Sequence, residues 1–240
     1  MAVSDRLLRR LYAAPCYDGT AAFYSNVRAR LTPQSRVLNL GAGPPTGDPV
    51  RILKGEVAEL VGADVDRCVL SNPELDRAVL IEDGRLPLDS AAFDLILSDY
   101  VFEHVRDPAR FLAEAFRVLK PGGSLMFRTP NRFHYVAIIS ALTPHRVHTL
   151  LANAARAKPR GSQAPWRTCY NLNDVQTLRR RGRDAGFARL AVTFVETEPA
   201  YLRFNTLAFL AGVAYERAVN STDRLAPLRA NIFGRLVKAA

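Results

Sequence analysis

Cysteine, methionine and tryptophan are all scarce in this 240-residue chain. Cys16, Cys68 and Cys169 are scattered, Met1 and Met126 are the two methionines, and Trp166 stands alone. Three cysteines, odd in number and without metal-ligand spacing, exclude a disulfide framework and a thiolate zinc site, and they fit a reducing cytoplasm. Long apolar runs are missing as well. The longest, about Thr206 to Tyr215, is too short to span a bilayer. Met1 to Arg10 carries charges at 5, 6, 9 and 10 with no apolar run, so no signal peptide is expected. Repeats, low-complexity tracts and linkers are absent. What is present is 48% hydrophobic content over a length that suits one complete α/β core and is too short for two ordinary domains.

Charge is uneven. The net +10 divides into +4 for residues 1–36, −5 for 37–130, +9 for 131–190 and +2 for 191–240. An acidic half followed by a basic segment points to an anionic small molecule, a nucleic acid or an anionic membrane surface as partner. The plainer alternative is a solvated helix face, because Arg179, Arg180, Arg181 and Arg183 fall around a helix predicted from Asp174 to Ala185.

Residues 37 to 47, Val-Leu-Asn-Leu-Gly-Ala-Gly-Pro-Pro-Thr-Gly, read as a buried strand entering a glycine turn. An acidic strand end, Val61-Gly62-Ala63-Asp64, follows about twenty residues later. Gly41 and Gly43 leave out a Cβ where backbone must approach a ligand, and Asp64 is placed to accept both hydrogen bonds of a ribose diol. The dinucleotide fingerprint fails, since its third glycine would fall at Thr46 and Pro44-Pro45 cannot open a helix in that register.

Further motifs follow in order. Ile81-Glu82-Asp83-Gly84-Arg85-Leu86-Pro87-Leu88 places Asp83 after a short apolar run, where its carboxylate can accept adenine amino hydrogens at a strand's carboxyl edge. Ala92 to Val105 includes Ser98-Asp99-Tyr100 and Phe102-Glu103-His104. Phe116 to Gly123 closes a helix over Pro108 to Leu119, with Asp107 as its N-cap, and Thr129-Pro130-Asn131 comes last. Together these strings resemble the class I S-adenosylmethionine-dependent methyltransferases, in particular the type 11 small-molecule group, strongly over 35–131 and more loosely over 166–198. The resemblance implies S-adenosylmethionine as cofactor, a small-molecule methyl acceptor, and a cofactor site at Asn39, Gly41, Ala42, Gly43, Asp64, Val65, Asp83, Gly84 and Ser98. Asn39 departs from the pattern: the family usually has Asp or Glu there for the methionine ammonium.

The order of elements is a helix at Thr20 to Leu31, strands near 36–40, 60–64, 78–82, 93–98, 123–129 and 189–196, helices between them, and a closing strand near Ile232 to Lys238. Such alternation implies a doubly wound, Rossmann-like sheet, and the resemblance implies seven mostly parallel strands ordered 3-2-1-4-5-7-6. Helical insertions at 131–172, after strand five, and 199–228, before strand seven, are expected to cover the substrate within a single domain.

No general base is evident. His104, His134 and Tyr100 are the catalytic candidates; Tyr100 could also face the sulfonium as a cation–π partner. His145 and His148 share a helical face, but two histidines without a carboxylate make a poor metal site, so no metal is expected. Against nucleic-acid methylation, Ser98-Asp99-Tyr100-Val101 replaces the Asn/Asp-Pro-Pro-aromatic turn of base-amino methyltransferases, and no Pro-Cys nucleophile occurs. A non-catalytic cofactor-binding module is the other alternative, kept open by Asn39. The expected location is cytoplasmic, with peripheral contact at an anionic membrane as a variant; oligomeric state is left open.

Overall fold

Seven short runs rich in branched and aromatic residues form strands: β1 Arg36–Leu40, β2 Glu59–Asp64, β3 Arg77–Leu80, β4 Phe93–Asp99, β5 Leu119–Pro130, β6 Arg189–Val195 and β7 Asn231–Val237. The computed structural model describes residues 3–14, 17–142, 167–199 and 202–240. The strands join in one sheet of order β3-β2-β1-β4-β5-β7-β6. Strand β1 runs parallel to β2 and β4, β2 to β3, and β4 to β5. Strand β7 runs the other way: Gly122 N donates to Ala239 O and Lys238 N to Gly123 O, while Ala188 N donates to Val237 O in the hairpin with β6.

Six helices are described: α1 Val3–Leu11, α2 Gly19–Arg28, α3 Pro108–Val118, α4 Tyr135–Leu142, α5 Val175–Asp184 and α6 Thr206–Asn220. Local chemistry sets their starts. Asp107, with Pro108 after it, accepts from Arg110 N; Asp174 accepts from Thr177 N; Asn205 accepts from Leu207 N and Ala208 N. Helix α1 was not foreseen in the sequence.

The expectation of helices between all strands fails on one side of the sheet. Residues 41–58 form no helix, β2 and β3 are joined by one 3-10 turn, Arg67–Ser71, and β3 reaches β4 without any helix. Pro44, Pro45 and Pro49 lack the N–H that a helix needs, and Gly43, Gly47 and Gly55 take positive φ. Side chains hold this segment instead. The Arg28 guanidinium donates to Val50 O at 2.8 Å and Ile52 O at 3.0 Å and pairs with Glu56 at 2.8 Å, and Glu74 accepts from Gly47 N at 2.6 Å. Strand β3 also ends earlier than expected, at Leu80.

The chain gathers into two compact units. The larger comprises Thr20–Thr129, Thr168–Thr193 and Ile232–Ala240 and carries the sheet, with Val37, Leu38, Ile96, Phe93, Leu125 and Phe127 fully buried. The smaller comprises Met1–Gly19, Pro130–Arg167 and Phe194–Asn231, and holds α1, α4 and α6. Within it, the Ser4 hydroxyl donates to Arg203 O at 2.8 Å and the Tyr12 hydroxyl to the buried Glu216 carboxylate at 3.0 Å, tying α1 to the α6 segment.

Candidate functional site

The carboxyl ends of β1, β2 and β4 and the turn beyond β3 bring together the residues singled out in the sequence. At the end of β1, Gly41 has φ 84 and Gly43 φ 58. A Cβ on Gly41 would lie 2.2 Å from Val101 Cγ2, whereas one on Gly43 would meet nothing within 4 Å. Gly41 is thus demanded by the protein's own packing, and Gly43 borders open space. Gly41 N and Ala42 N both donate to Ala63 O, at 2.7 and 3.3 Å, locking the turn to β2.

Asp64 ends β2, and its two oxygens each accept one backbone N–H: Gly43 N at 2.9 Å and Asp66 N at 2.8 Å. A carboxylate offers about four lone-pair sites, so about two remain for a diol, and the carboxylate is oriented before any ligand arrives. Val65, the next residue, and Leu70, six residues on, are exposed apolar side chains, each at 56%. The Asn72 amide donates to Gly43 O at 3.1 Å, closing the glycine turn from behind.

Asp83 lies in a turn, three residues beyond the end of β3, and not at the strand's edge as expected. Asp83 and Gly84 have φ 47 and 67, and Arg85 N donates to Glu82 O at 2.9 Å. Two positive φ values at the central pair define a type I′ turn, for which Asp-Gly is a preferred sequence. Ile81 N donates to Asp64 O at 2.7 Å, so the turn is carried directly off the Asp64 strand.

Asn39, half-buried, sits in β1 between Gly62 and Leu97 of the flanking strands. Ser98 is fully buried near the end of β4, and its hydroxyl has no hydrogen-bond partner. Just beyond, Tyr100 takes φ 55, a conformation that a bulky side chain holds only when its surroundings impose it. The surroundings are a buried ionic network that the sequence reading missed. Arg128, 2% exposed, pairs with Asp99 through two guanidinium nitrogens and donates to the Thr20 hydroxyl at 3.1 Å. Arg51 stands 3.3 Å from the same carboxylate, and the Tyr24 hydroxyl donates to it at 3.2 Å. The Arg128 guanidinium lies 4.6 Å from the Tyr100 ring centroid, so one face of this ring packs on a side-chain cation. The available signal was an arginine inside an otherwise buried apolar strand, Ser124 to Thr129.

Glu103 is a second group missed. It is 5% exposed, accepts from the Thr129 hydroxyl at 3.2 Å, and is pushed by burial up to about 7. The Asn173 amide donates to the same Thr129 hydroxyl at 2.7 Å, and Glu103 O accepts from Cys169 N at 2.6 Å. His104, half-buried, closes the 3-10 turn Phe102–His104.

His134 belongs to the smaller unit. It is buried, its Nε2 stands 3.4 Å from Glu196 Oε2 without hydrogen-bond alignment, and the Tyr135 and Tyr215 rings pack on it. Burial pushes His134 down to about 4 and Glu196 up to about 7. His145, His148 and Trp166 lie outside the described residues. Among the described residues no three His, Cys, Asp or Glu side chains are grouped to hold a metal ion, and no helix is long and apolar enough to cross a membrane.

Residues 38–127 match the family model described as a methyltransferase domain. That stretch resembles the class I S-adenosylmethionine-dependent methyltransferases of the type 11 group. The methyltransferase domain is similar to two curated proteins over about half of this chain. It is 34% identical over 140 residues to the glycine/sarcosine/dimethylglycine N-methyltransferase of Actinopolyspora halophila, covering 50% of this chain and 24% of that protein. It is 32% identical over 137 residues to the demethylmenaquinone methyltransferase of Clavibacter sepedonicus, covering 50% and 54%. The chain thus spans about a quarter and about half of these relatives' lengths. In fold it resembles an S-adenosylmethionine-dependent methyltransferase of Thermotoga maritima, with TM-score 0.60 and 16% identity over 98% of this chain and 95% of that one. The cofactor of the methyltransferase family is S-adenosylmethionine.

Proposed function

We propose that this chain transfers the methyl group of S-adenosylmethionine to a small-molecule acceptor of anionic or amphiphilic character. The observation that carries the reading is the Asp64 carboxylate, pre-oriented by Gly43 N and Asp66 N beside an open glycine turn. When bound, S-adenosylmethionine would supply an electrophilic methyl group on a sulfonium. Asp64 holds the ribose hydroxyls, the Asp83-Gly84 turn and Val65 take the adenine, and Gly41 to Gly43 let the backbone approach the methionine portion. Asn39 meets the ammonium with a neutral amide, and the free Ser98 hydroxyl lines the same strand ends. Alignment of the reactants, with water kept out, supplies most of the acceleration that such a displacement needs. The named relatives act on a small amino acid and on a quinone precursor, which supports a small acceptor. The +9 charge of residues 131–190 supports one with negative charge, selected by the segments 131–172 and 199–228.

Asp64→Ala should weaken S-adenosylmethionine binding by about 1.5–3 kcal/mol, the loss of charged hydrogen bonds, measured by titration calorimetry. Unchanged affinity would remove the site assignment. Labelled S-adenosylmethionine incubated with the protein and a cell extract then identifies the acceptor, and binding without any labelled product would leave a cofactor-binding module.

A further inference from the structure

The glycine turn after β1 has its own backbone donors engaged. Gly41 N and Ala42 N donate to Ala63 O, and Gly43 N donates to the Asp64 carboxylate. The amino-acid end of S-adenosylmethionine carries a carboxylate as well as an ammonium, and a carboxylate taken out of water at these strand ends needs hydrogen-bond donors. With the turn's N–H groups in use, a side chain has to supply them.

Strands β1 and β4 run parallel with Asn39 level with Leu97, so the glycine turn and Asp99 leave the sheet at neighbouring points, and a Cβ on Gly41 would run into Val101. Two guanidinium groups reach Asp99 there, those of Arg128 and Arg51. Arg128 is committed to the protein: it is buried, pairs with Asp99 through Nε and Nη2, and donates from Nη1 to the Thr20 hydroxyl. Arg51 is not. Its side chain is 32% exposed, its Nη1 lies 3.3 Å from Asp99 and its Nε 3.4 Å from Asp48, and among the described residues its guanidinium makes no aligned hydrogen bond. Asp99 is satisfied without it, because Arg128 and the Tyr24 hydroxyl already give its two oxygens three hydrogen bonds out of about four lone-pair sites. The pair with Asp48, whose side chain is 38% exposed, is worth little in water. Yet the backbone under Arg51 is anchored. The carbonyls on either side of it, Val50 O and Ile52 O, accept from the Arg28 guanidinium at 2.8 and 3.0 Å, and Leu53 is fully buried. All of these residues belong to the larger unit.

We propose that Arg51 binds the carboxylate of the methionine portion of S-adenosylmethionine as a bidentate pair. Its planar fork of donors matches the two oxygens of a carboxylate, and its anchored backbone keeps that fork beside the glycine turn. Arg51 thereby supplies a charged contact at the end of the cofactor where Asn39 offers only a neutral amide. The proposal deepens the cofactor reading and rests on it, with the Asp64 contact to the ribose taken as given.

Titration calorimetry of the full chain with two ligands tests it: S-adenosylmethionine, and decarboxylated S-adenosylmethionine, which keeps the adenosine, the sulfonium and the amine. The parent should bind S-adenosylmethionine roughly tenfold or more tightly than the analogue, the effect of losing hydrogen bonds to a charged group. Arg51→Gln should weaken S-adenosylmethionine by about that factor and leave the affinity for the analogue as it is in the parent, so that the preference disappears; retained binding of the analogue also shows that the variant is folded. Arg51→Lys should recover part of the loss, since a point charge replaces the fork. Asp64→Ala should weaken both ligands alike, because both carry the ribose. Unchanged S-adenosylmethionine affinity in Arg51→Gln, or a parent with no preference between the ligands, overturns the proposal and leaves the cofactor reading standing. So does an equal loss of both ligands in Arg51→Gln, which would make Arg51 a support of the local structure. A parent that binds neither ligand removes the cofactor reading, and the role of Arg51 with it.

Discussion

Gly41 and Gly43 are two residues apart and do different work. Both have positive φ, which costs a non-glycine residue roughly 1–2 kcal/mol. Only Gly41 is also pressed by a neighbour, Val101. Gly41→Ala should therefore lose the strain energy and a further ~1–3 kcal/mol of overpacking, seen as a lower urea midpoint. Gly43→Ala should lose about the strain alone, with a disproportionate fall in S-adenosylmethionine affinity, because its new methyl projects into the open space. Equal losses of stability in the two variants would mean that Gly43 is as structural as Gly41. At this scale the cofactor residues were legible: a glycine pair after a strand and an acid at the next strand's end are local patterns. The partners of the charged residues were not legible, since Asp99 and Arg128 lie 29 positions apart and meet only through the pairing of β4 with β5.

Among the elements, β7 shows how a strand is admitted next to β5. Gly234 stands in its middle, and a Cβ there would lie 2.1 Å from Phe127 Cζ. The Phe127 ring cannot retreat, because Phe102 is stacked on it at 4.2 Å. Gly234→Ala should cost about 1–3 kcal/mol or more. Gly182→Ala, in α5, meets only the flexible end of Leu236 at 2.5 Å and recovers up to ~1 kcal/mol of helix propensity, so it should be close to neutral. Denaturation midpoints of the two variants decide the matter, and a harmless Gly234→Ala would show that β5 and β7 can separate freely. The pairing of a helix start with its cap was readable at Asp107. The replacement of a helix by the Arg28 clamp after β1 was not, because its acceptors are backbone carbonyls more than twenty residues away.

For the whole molecule, buried titratable groups set the response to pH. Burial raises Glu103 in the larger unit and Glu196 in the smaller to about 7, from an ordinary 4.5. Each folded carboxyl keeps its proton between about 4.5 and 7 where the unfolded one has lost it. Their contribution is complete below 4.5 and is lost as pH rises through 7. His134, lowered by burial from 6.5 to about 4, acts oppositely, and its contribution is lost as pH falls through that interval. Glu103→Gln keeps an acceptor for Thr129 without a proton to lose. The variant should gain on the parent as pH rises from 4.5 to 7, read as urea midpoints across that range. A difference that stays constant with pH would mean that Glu103 does not titrate within the folded state.

The sequence by itself determined the approximate strand positions, the glycine turn, the acids after β2 and β3 and the cap of α3, because each is written within a few residues: hydrophobic period, turn chemistry, cap and spacing; the strand order was implied by the family resemblance. Only the tertiary structure decided which charges are buried and with whom. It turned Tyr100 toward Arg128 and stripped the β1–β2 and β3–β4 connections of helices. It also joined α1 to residues about two hundred positions later through Ser4 with Arg203 and Tyr12 with Glu216. For the buried charges and the joins to distant residues the reason is the same. The cost of a buried charge or an unpaired donor depends on everything packed around it, and in this chain most of what surrounds those groups comes from distant segments.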